Sequence, residues 1–157
     1  MNFAVRRMSS GDAADMHRIH TQAVTAVCAE YVEPAAVAAW LHGRTAEKYV
    51  EAADTGGETF WIAAVEDGPV IGFASWRQDE LVSLFVDPAW HGRGVGHALF
   101  DACETDAAEN GHAPRRLTAT LNAVSYYEAL GFRQIRESYR EKQGQRIPHI
   151  EMTRDMR

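Results

Sequence analysis

Residues 84–96 read Leu84-Phe85-Val86-Asp87-Pro88-Ala89-Trp90-His91-Gly92-Arg93-Gly94-Val95-Gly96. The apolar run before Pro88 predicts the end of a β-strand, and the residues from Gly94 onward predict the start of a helix. The alternating glycines between these elements let a ligand approach the backbone closely. The helix aims its unpaired N–H groups and the positive end of its dipole at the same place. The turn therefore predicts a binding site for a phosphate or pyrophosphate group.

The spacing of the glycines excludes two common nucleotide-binding motifs. The dinucleotide fingerprint G-x-G-x-x-G fails because His97 or Leu99 stands at the third glycine, depending on the starting position. The P-loop G-x-x-x-x-G-K-(S/T) fails because the chain contains no Gly-Lys pair. From this turn alone, a glycine-rich helix start that binds no ligand stays open as the alternative.

The rest of the chain alternates between strand and helix patterns. Strands are predicted at residues 3–7, 59–65, 70–76, 80–86, 116–121, 132–139 and 147–153. Helices are predicted from a cap at 9–12 to about residue 28, in one or two segments within 31–49, over 94–108 and over 122–131. This order predicts an α/β fold of mixed α+β type, with helices on both faces of a mixed sheet.

Length and composition fit one globular domain spanning residues 1–157. Hydrophobic residues make up 46% of the chain and charged residues 24%. The formal net charge of −6 disfavours nucleic-acid binding, which rests on neutralising phosphates. No run approaches the roughly 20 apolar residues that cross a bilayer, and no secretory h-region follows Arg6 and Arg7. Cys28 and Cys103 lie in no motif, so we expect reduced thiols in a cytoplasmic protein that binds no membrane.

Two segments resemble one enzyme family. The first, residues 84–96, resembles the acyl-CoA-binding segment of GNAT-type N-acetyltransferases, which reads (R/Q)-x-x-G-x-(G/A) after a strand. Gly94 and Gly96 match that pattern, whereas His91 stands where the family has Arg or Gln. The second segment, which resembles the family's later motif N-A-x-x-(F/Y)-Y-E-x-x-G-F, reads Leu121-Asn122-Ala123-Val124-Ser125-Tyr126-Tyr127-Glu128-Ala129-Leu130-Gly131-Phe132. The resemblance covers nearly the whole chain and implies a twisted mixed sheet of about seven strands flanked by about four helices.

The resemblance implies transfer of an acetyl group from acetyl-CoA to an amine by direct attack, with coenzyme A as the co-substrate and no metal. The residues expected to bind the cofactor are Leu84, Phe85, Val86, His91, Gly92, Arg93, Gly94, Val95, Gly96, Asn122 and Tyr127. Amides of residues 91–96 would hold the pyrophosphate, and the N–H of Leu84 or Val86 would stabilise the thioester oxygen. Arg93 either adds a charge there or is a solvated surface arginine. Asn122 is expected to cap its helix, with a cofactor contact as the alternative.

The same resemblance assigns the proton transfers to two side chains. Tyr127 stands where the family carries its general acid, and a phenol with a pKa near 10 stays protonated at neutral pH. Its alternative role is core packing, for which Tyr126 is the better candidate. Glu80 stands where histone-modifying relatives carry a glutamate base, and the alternative is a solvated glutamate at a strand end.

The acceptor amine is expected to bind against residues 28–55. Glu30, Tyr31, Glu33 and Trp40 in this region suit a cationic amine, which gives a weak preference for small amines, polyamines or a protein amino group. A homodimer is compatible with the sequence. The alternative function is a non-catalytic acyl-CoA-binding regulator on the same fold.

One histidine pair has metal-ligand spacing. His17 and His20 stand three positions apart on one predicted helix. No third ligand with compatible spacing is visible, so both are expected to be surface histidines.

Overall fold

The structure, a computed structural model, describes residues 2–155. The strands are β1 (Phe3–Arg7), β2 (Thr59–Val65), β3 (Val70–Arg77), β4 (Glu80–Val86), β5 (Arg116–Ala119), β6 (Arg133–Lys142) and β7 (Gln145–Thr153). The α-helices are α1 (Ala13–Ala26), α2 (Pro34–Leu41), α3 (Glu47–Asp54), α4 (Val95–Glu109) and α5 (Val124–Ala129). The strands form one sheet in the order β1-β2-β3-β4-β5-β7-β6, which confirms the predicted mixed α/β fold.

The structure places the ends of some helices differently from the sequence prediction. The segment 31–49 was expected to hold one or two helices, and it contributes two, α2 and the start of α3, which continues to Asp54. Gly43, with a φ of 75°, adopts the left-handed conformation between these two helices. Helix α1 ends at Ala26, and Cys28 instead opens a short 3-10 turn. These changes leave the order of the strands along the chain as predicted.

Helices cover both faces of the sheet. On one face, α1 and α3 bury a cluster that includes Met16, Ile19, Tyr49 and Phe73. On the other face, α4 packs against β2, β3 and β4. Gly72 in β3 allows this packing, because an added Cβ would lie 3.0 Å from Leu99 and 3.1 Å from Val95. Within residues 2–155, every helix is too short or too polar to cross a membrane.

Strand β4 separates from β5 partway along its length. The two strands pair in parallel at Glu80 with Arg116 and at Leu81 with Leu117, and the pairing ends there. Val82 is an extra residue in β4, since Ser75 pairs with Ser83 while Trp76 pairs with Leu81. Such a bulge bends the strand that carries it. Because β5 stays paired with β7, a gap opens between the rest of β4 and β5.

A buried carboxylate on α4 fastens this helix to the sheet. Asp106 Oδ2 accepts hydrogen bonds from the indole N–H groups of Trp61 and Trp76, each at 3.0 Å. Trp61 lies on β2 and Trp76 on β3, so Asp106 joins α4 to both strands. We expect Asp106→Ala to lower the free energy of unfolding by about 3 kcal/mol in urea denaturation, since it leaves both indoles without an acceptor.

The matched control is Asp101→Ala, which removes an exposed carboxylate from the same helix. It should change the free energy of unfolding by less than about 0.5 kcal/mol. Equal stabilities for the two variants would show that the indole hydrogen bonds contribute little.

Candidate active site

A groove with a volume of about 430 Å³ lies beside the glycine-rich turn. It is lined by Ala23, Val27, Cys28, Leu84, Phe85, Val86, Trp90, His91, Gly92, Gly94, Val95, Gly96, His97, Thr120, Asn122, Ala123, Tyr126 and Tyr127. All the predicted cofactor-binding residues are among them except Arg93. The guanidinium of Arg93 instead stacks over the Trp90 ring, 4.9 Å from its centroid, at an exposed position.

The turn presents open backbone to this groove. Gly92 and Gly94 have φ angles of 76° and 82°, and an added Cβ at either residue would meet nothing within 4 Å. Helix α4 follows directly, and its first turn of hydrogen bonding begins with the N–H of Ala98 donating to Gly94 O at 3.1 Å. The preceding N–H groups at the helix start lack helical acceptors. The turn therefore combines space and amide donors, as an anion requires.

The edge of β4 that faces the gap carries further N–H donors. Asp87 N–H donates to Ile71 O at 2.8 Å, so it points towards β3. Successive N–H groups of a strand alternate between its two edges. Those of Val86 and Leu84 therefore point the other way, into the gap beyond the last β4–β5 pair. Both N–H groups are therefore available to a ligand in the gap, and their stabilisation of a thioester oxygen stays a prediction from the resemblance.

Tyr127 lies in the wall of the groove and is almost fully buried, with 6% of its surface exposed. Its ring packs edge-on against Phe132, with centroids 6.0 Å apart. Burial, reinforced by nearby Tyr126, raises the pKa of Tyr127 above its ordinary value. The phenol therefore stays protonated at neutral pH.

The structure corrects the role expected for Asn122. The residue lies in a 3-10 turn before α5, and its side chain forms no capping hydrogen bond to either element. Its Oδ1 atom is buried without a partner in the described chain, and the residue lines the groove. A buried carbonyl oxygen without a donor is costly, so a ligand N–H or O–H is a better explanation than helix capping.

A second cavity, of about 500 Å³, lies on the α1–α3 face of the sheet. It is lined by His20, Trp40, Arg44, Lys48, Tyr49, Ala52, Glu58, Phe60, Phe73, Val82, Ser83, Phe85, Thr118, Thr120, Ser138, Tyr139, Arg140 and His149. We name it the acceptor cavity. Phe85 and Thr120 line both this cavity and the groove. The two spaces therefore adjoin at the gap between β4 and β5.

A chain of hydrogen bonds reaches the acceptor cavity from a carboxylate that the sequence analysis missed. Ser75 Oγ donates to Glu58 Oε2 at 2.8 Å and lies 2.7 Å from Ser83 Oγ. Because the Ser75 proton is used towards Glu58, Ser83 is the donor in the second bond. The lone pairs of Ser83 are then left to accept from a ligand. Glu58 and Ser83 both line the cavity.

Glu80, the predicted base, lies outside the lining of both cavities. It opens β4, and its carboxylate lies 3.9 Å from the guanidinium of Arg77. One sequence signal pointed to Glu58 instead. Glu58 falls on the same alternation as Phe60 and Ile62, the buried face of β2, where a carboxylate is out of place without a function.

His20 is buried, and not on the surface as expected. Its Nδ1 atom lies 2.8 Å from the Tyr49 hydroxyl, and its ring stacks on Phe85 with centroids 4.1 Å apart. Burial, reinforced by the charges of Arg44 and Arg140, lowers the pKa of His20 to about 2. The ring is therefore neutral. Within residues 2–155 no group of three or more His, Cys, Asp or Glu side chains is arranged to bind a metal ion.

The residues expected to attract a cationic acceptor are divided by the structure. Trp40 lines the acceptor cavity. Glu30, Tyr31 and Glu33 are exposed and line neither cavity. The carboxylates of Glu30 and Glu33 and the phenol of Tyr31 therefore do not face the acceptor cavity.

Comparison with known families decides the identity of the fold. Residues 27–156 match the model of the acetyltransferase (GNAT) domain. The chain belongs to the GNAT acetyltransferase family. As a GNAT N-acetyltransferase it is an acyltransferase, which confirms the activity that the two sequence motifs implied.

Individual relatives of this GNAT enzyme span nearly its whole length. The uncharacterized N-acetyltransferase YafP of Escherichia coli (strain K12) is 27% identical over 146 residues, which is 91% of this chain and 89% of that one. The crystal structure of a GCN5-related N-acetyltransferase from Rhodopseudomonas palustris superposes with a TM-score of 0.85 at 25% identity, covering 99% and 97% of the two chains. The PaiA N-acetyltransferase of Thermoplasma acidophilum, solved in complex with coenzyme A, gives a TM-score of 0.75 at 20% identity, covering 99% and 100%.

Proposed function

We propose that this enzyme binds acetyl-CoA in the groove beside the glycine-rich turn and acetylates an amine held in the acceptor cavity. The observation that carries the proposal is the meeting of the two cavities at Phe85 and Thr120, in the gap between β4 and β5. In this gap, the thioester of acetyl-CoA would connect to the pantetheine arm in the groove on one side and face the amine in the acceptor cavity on the other. Both spaces are built on the same sheet, which supports one catalytic domain.

The groove suits each part of the cofactor. The amides at the start of α4 would bind the pyrophosphate, and the unpaired carbonyl oxygen of Asn122 would accept a hydrogen bond from the pantetheine arm. The N–H groups of Leu84 and Val86 would stabilise the oxygen of the tetrahedral intermediate. Cys28 lines this groove, but burial raises the pKa of its thiol to about 11, so it is a poor nucleophile. This favours direct attack by the amine. A free thiol at Cys28 also fits a cytoplasmic enzyme.

Two proton transfers complete the reaction. The amine nitrogen attacks the thioester carbon and becomes positively charged, which makes its N–H acidic. That proton passes to Ser83 as the hydroxyl protons shift through Ser75 to Glu58, which ends protonated. Collapse of the intermediate breaks the C–S bond, and Tyr127 donates its proton to the departing sulfur. The products are the acetylated amine and coenzyme A.

The cofactor site is tested by Gly94→Ala. A Cβ at this position enters the open space that the pyrophosphate would occupy. We expect the dissociation constant for coenzyme A, measured by calorimetry, to rise at least about 10-fold, since the helix-start amides can no longer approach the anion.

Gly111→Ala is the matched control, because Gly111 has a φ of 80° and equally open space beyond its Cα. It follows the opposite end of α4, so it imposes the same backbone strain, about 1–2 kcal/mol, away from the groove. Equal coenzyme A affinities for the two variants would refute the placement of the pyrophosphate at the turn.

A further inference from the structure

Four cationic side chains cluster at the acceptor cavity. Arg44, Lys48 and Arg140 line the cavity, and the Lys142 ammonium lies beside it, donating to Trp40 O at 3.0 Å. Arg140 and Lys142 come from β6, Arg44 from the segment between α2 and α3, and Lys48 from the first turn of α3. The whole chain has a net charge of −6, so this concentration of positive charge is local.

These cations lack acidic partners. Among residues 2–155, no carboxylate lies within 4 Å of the charged groups of Arg44, Lys48, Arg140 or Lys142. The cations instead act on one another: partial burial and the charge of Arg44 lower the pKa of Arg140, although the residue as a whole is exposed. Like charges held together without a counter-ion cost free energy, and this cost is recovered when an anion binds.

Two buried nitrogen atoms in the same cavity also lack partners. Arg44 Nε and His20 Nε2 are both buried without a hydrogen bond in the described chain. His20 is 4% exposed, and its other nitrogen is occupied by the Tyr49 hydroxyl. Arg44 Nε belongs to a guanidinium and can only donate, so this buried N–H requires an acceptor that the described chain does not supply.

The one carboxylate of the described chain that lines the cavity, Glu58, does not pair with these cations. Glu58 accepts a hydrogen bond from Ser75, and neither residue is hydrogen-bonded to the four cationic side chains.

We propose that the acceptor is a small amine that also carries an anionic group, a carboxylate or a phosphonate, which binds to Arg44 and Arg140. This inference rests on the proposed function and names the substrate class for it.

This arrangement also favours the chemistry. An anion bound to these cations would direct the amine of the same molecule towards Ser83 and the gap. The surrounding positive charge disfavours the ammonium form of the acceptor, which raises the fraction of nucleophilic free amine. A polyamine would instead place a second positive charge among unpaired cations. The aromatic walls, which include Trp40, Tyr49 and Phe60, suit an apolar body between the two polar ends.

The test compares matched amines in a thiol-release assay with acetyl-CoA. The panel contains the protein amino acids, their carboxamides, the corresponding decarboxylated amines, and aminophosphonate analogues that separate the two anions. Rates are compared per unprotonated amine, because the carboxamides have the lower amine pKa. The same carboxylate and carboxamide members are titrated by calorimetry into protein saturated with coenzyme A, which measures recognition without turnover.

We expect anionic members to have the higher kcat/KM and tighter binding. Arg140→Gln should raise the KM for them at least about 10-fold and leave the KM of their neutral counterparts and of acetyl-CoA unchanged, whereas Arg140→Lys should retain much of the affinity. Arg133→Gln is the control, since Arg133 is an exposed residue of the same strand that lines neither cavity. It should leave every constant unchanged.

Three results separate failure of this inference from failure of the proposed function. Turnover of neutral or cationic amines with no preference for the anionic members, and no discrimination by Arg140→Gln, would overturn the inference and leave the acetyltransferase proposal standing. Equal binding of carboxylate and carboxamide would overturn the inference even without turnover. Tight carboxylate binding that depends on Arg140, with no thiol release from any amine, would support the anion site and contradict the proposed reaction.

Discussion

Tyr127→Phe is expected to lower kcat about 10²-fold and to leave the KM for acetyl-CoA nearly unchanged. The substitution keeps the ring that packs against Phe132 and removes only the hydroxyl. The leaving sulfur then departs without a proton from the enzyme. Because thiols have pKa values near 8.5, the unprotonated thiolate is a tolerable leaving group, and the reaction should be slowed but not abolished.

The pH dependence distinguishes proton donation from cofactor positioning. Burial raises the pKa of Tyr127, so the wild-type enzyme should not lose its acid as the pH rises through the assay range. The variant should be least impaired at high pH, where a thiolate product is most favourable. Tyr31→Phe, at an exposed position outside both cavities, serves as the control. Wild-type turnover by Tyr127→Phe at every pH would refute the acid role, and a rise in KM alone would show that the hydroxyl only positions the cofactor.

Glu58→Gln is expected to lower kcat by about 10²-fold or more. The amide oxygen can still accept the hydrogen bond from Ser75, so the local structure is preserved while the proton acceptor is lost. The loss should be greatest at low pH, where few acceptor molecules are unprotonated and solvent is a poor base. Steady-state rates with saturating acetyl-CoA over a range of pH measure the effect.

Glu80→Gln is the matched comparison, because it makes the same chemical change in the carboxylate that the sequence resemblance favoured. With Glu80 beside Arg77 and outside both cavities, its loss should change kcat less than about 3-fold. Ser83→Ala should reduce kcat in the same direction as Glu58→Gln, since it interrupts the same path. A large loss in Glu80→Gln with a normal Glu58→Gln enzyme would restore the original assignment.

The groove beside the glycine-rich turn could be predicted because its determinants are local in sequence. A strand, a glycine-rich turn and a helix start follow one another in residues 80–96, and their propensities agree with the final structure, in which β4 spans Glu80–Val86 as predicted. Arg93 and Asn122 were harder to place. The direction of the Arg93 side chain depends on its contact with Trp90, which the turn sequence does not indicate. Asn122 does not cap the helix because it lies within a 3-10 turn that precedes α5.

The acceptor cavity could not be predicted because long-range pairing assembles it. The sheet order places β7 and β6 beyond β5, and this brings Arg140 to the same cavity as Arg44, although they are far apart in the chain. The path from Glu58 through Ser75 to Ser83 likewise crosses neighbouring strands and depends on their register. No local sequence pattern indicates which distant residues meet in the cavity, and the nearby acids of residues 28–55 suggested a cationic acceptor.

The crystal structure of the complex with acetyl-CoA tests the central claim most directly. The account predicts pyrophosphate oxygens about 2.7–3.2 Å from backbone nitrogens between residues 92 and 97. It also predicts the thioester in the gap between β4 and β5, with its carbonyl oxygen accepting from the N–H of Val86 or Leu84 and its sulfur near the Tyr127 hydroxyl. A pantetheine arm that bypasses the gap, or a pyrophosphate bound away from the glycine-rich turn, would contradict it.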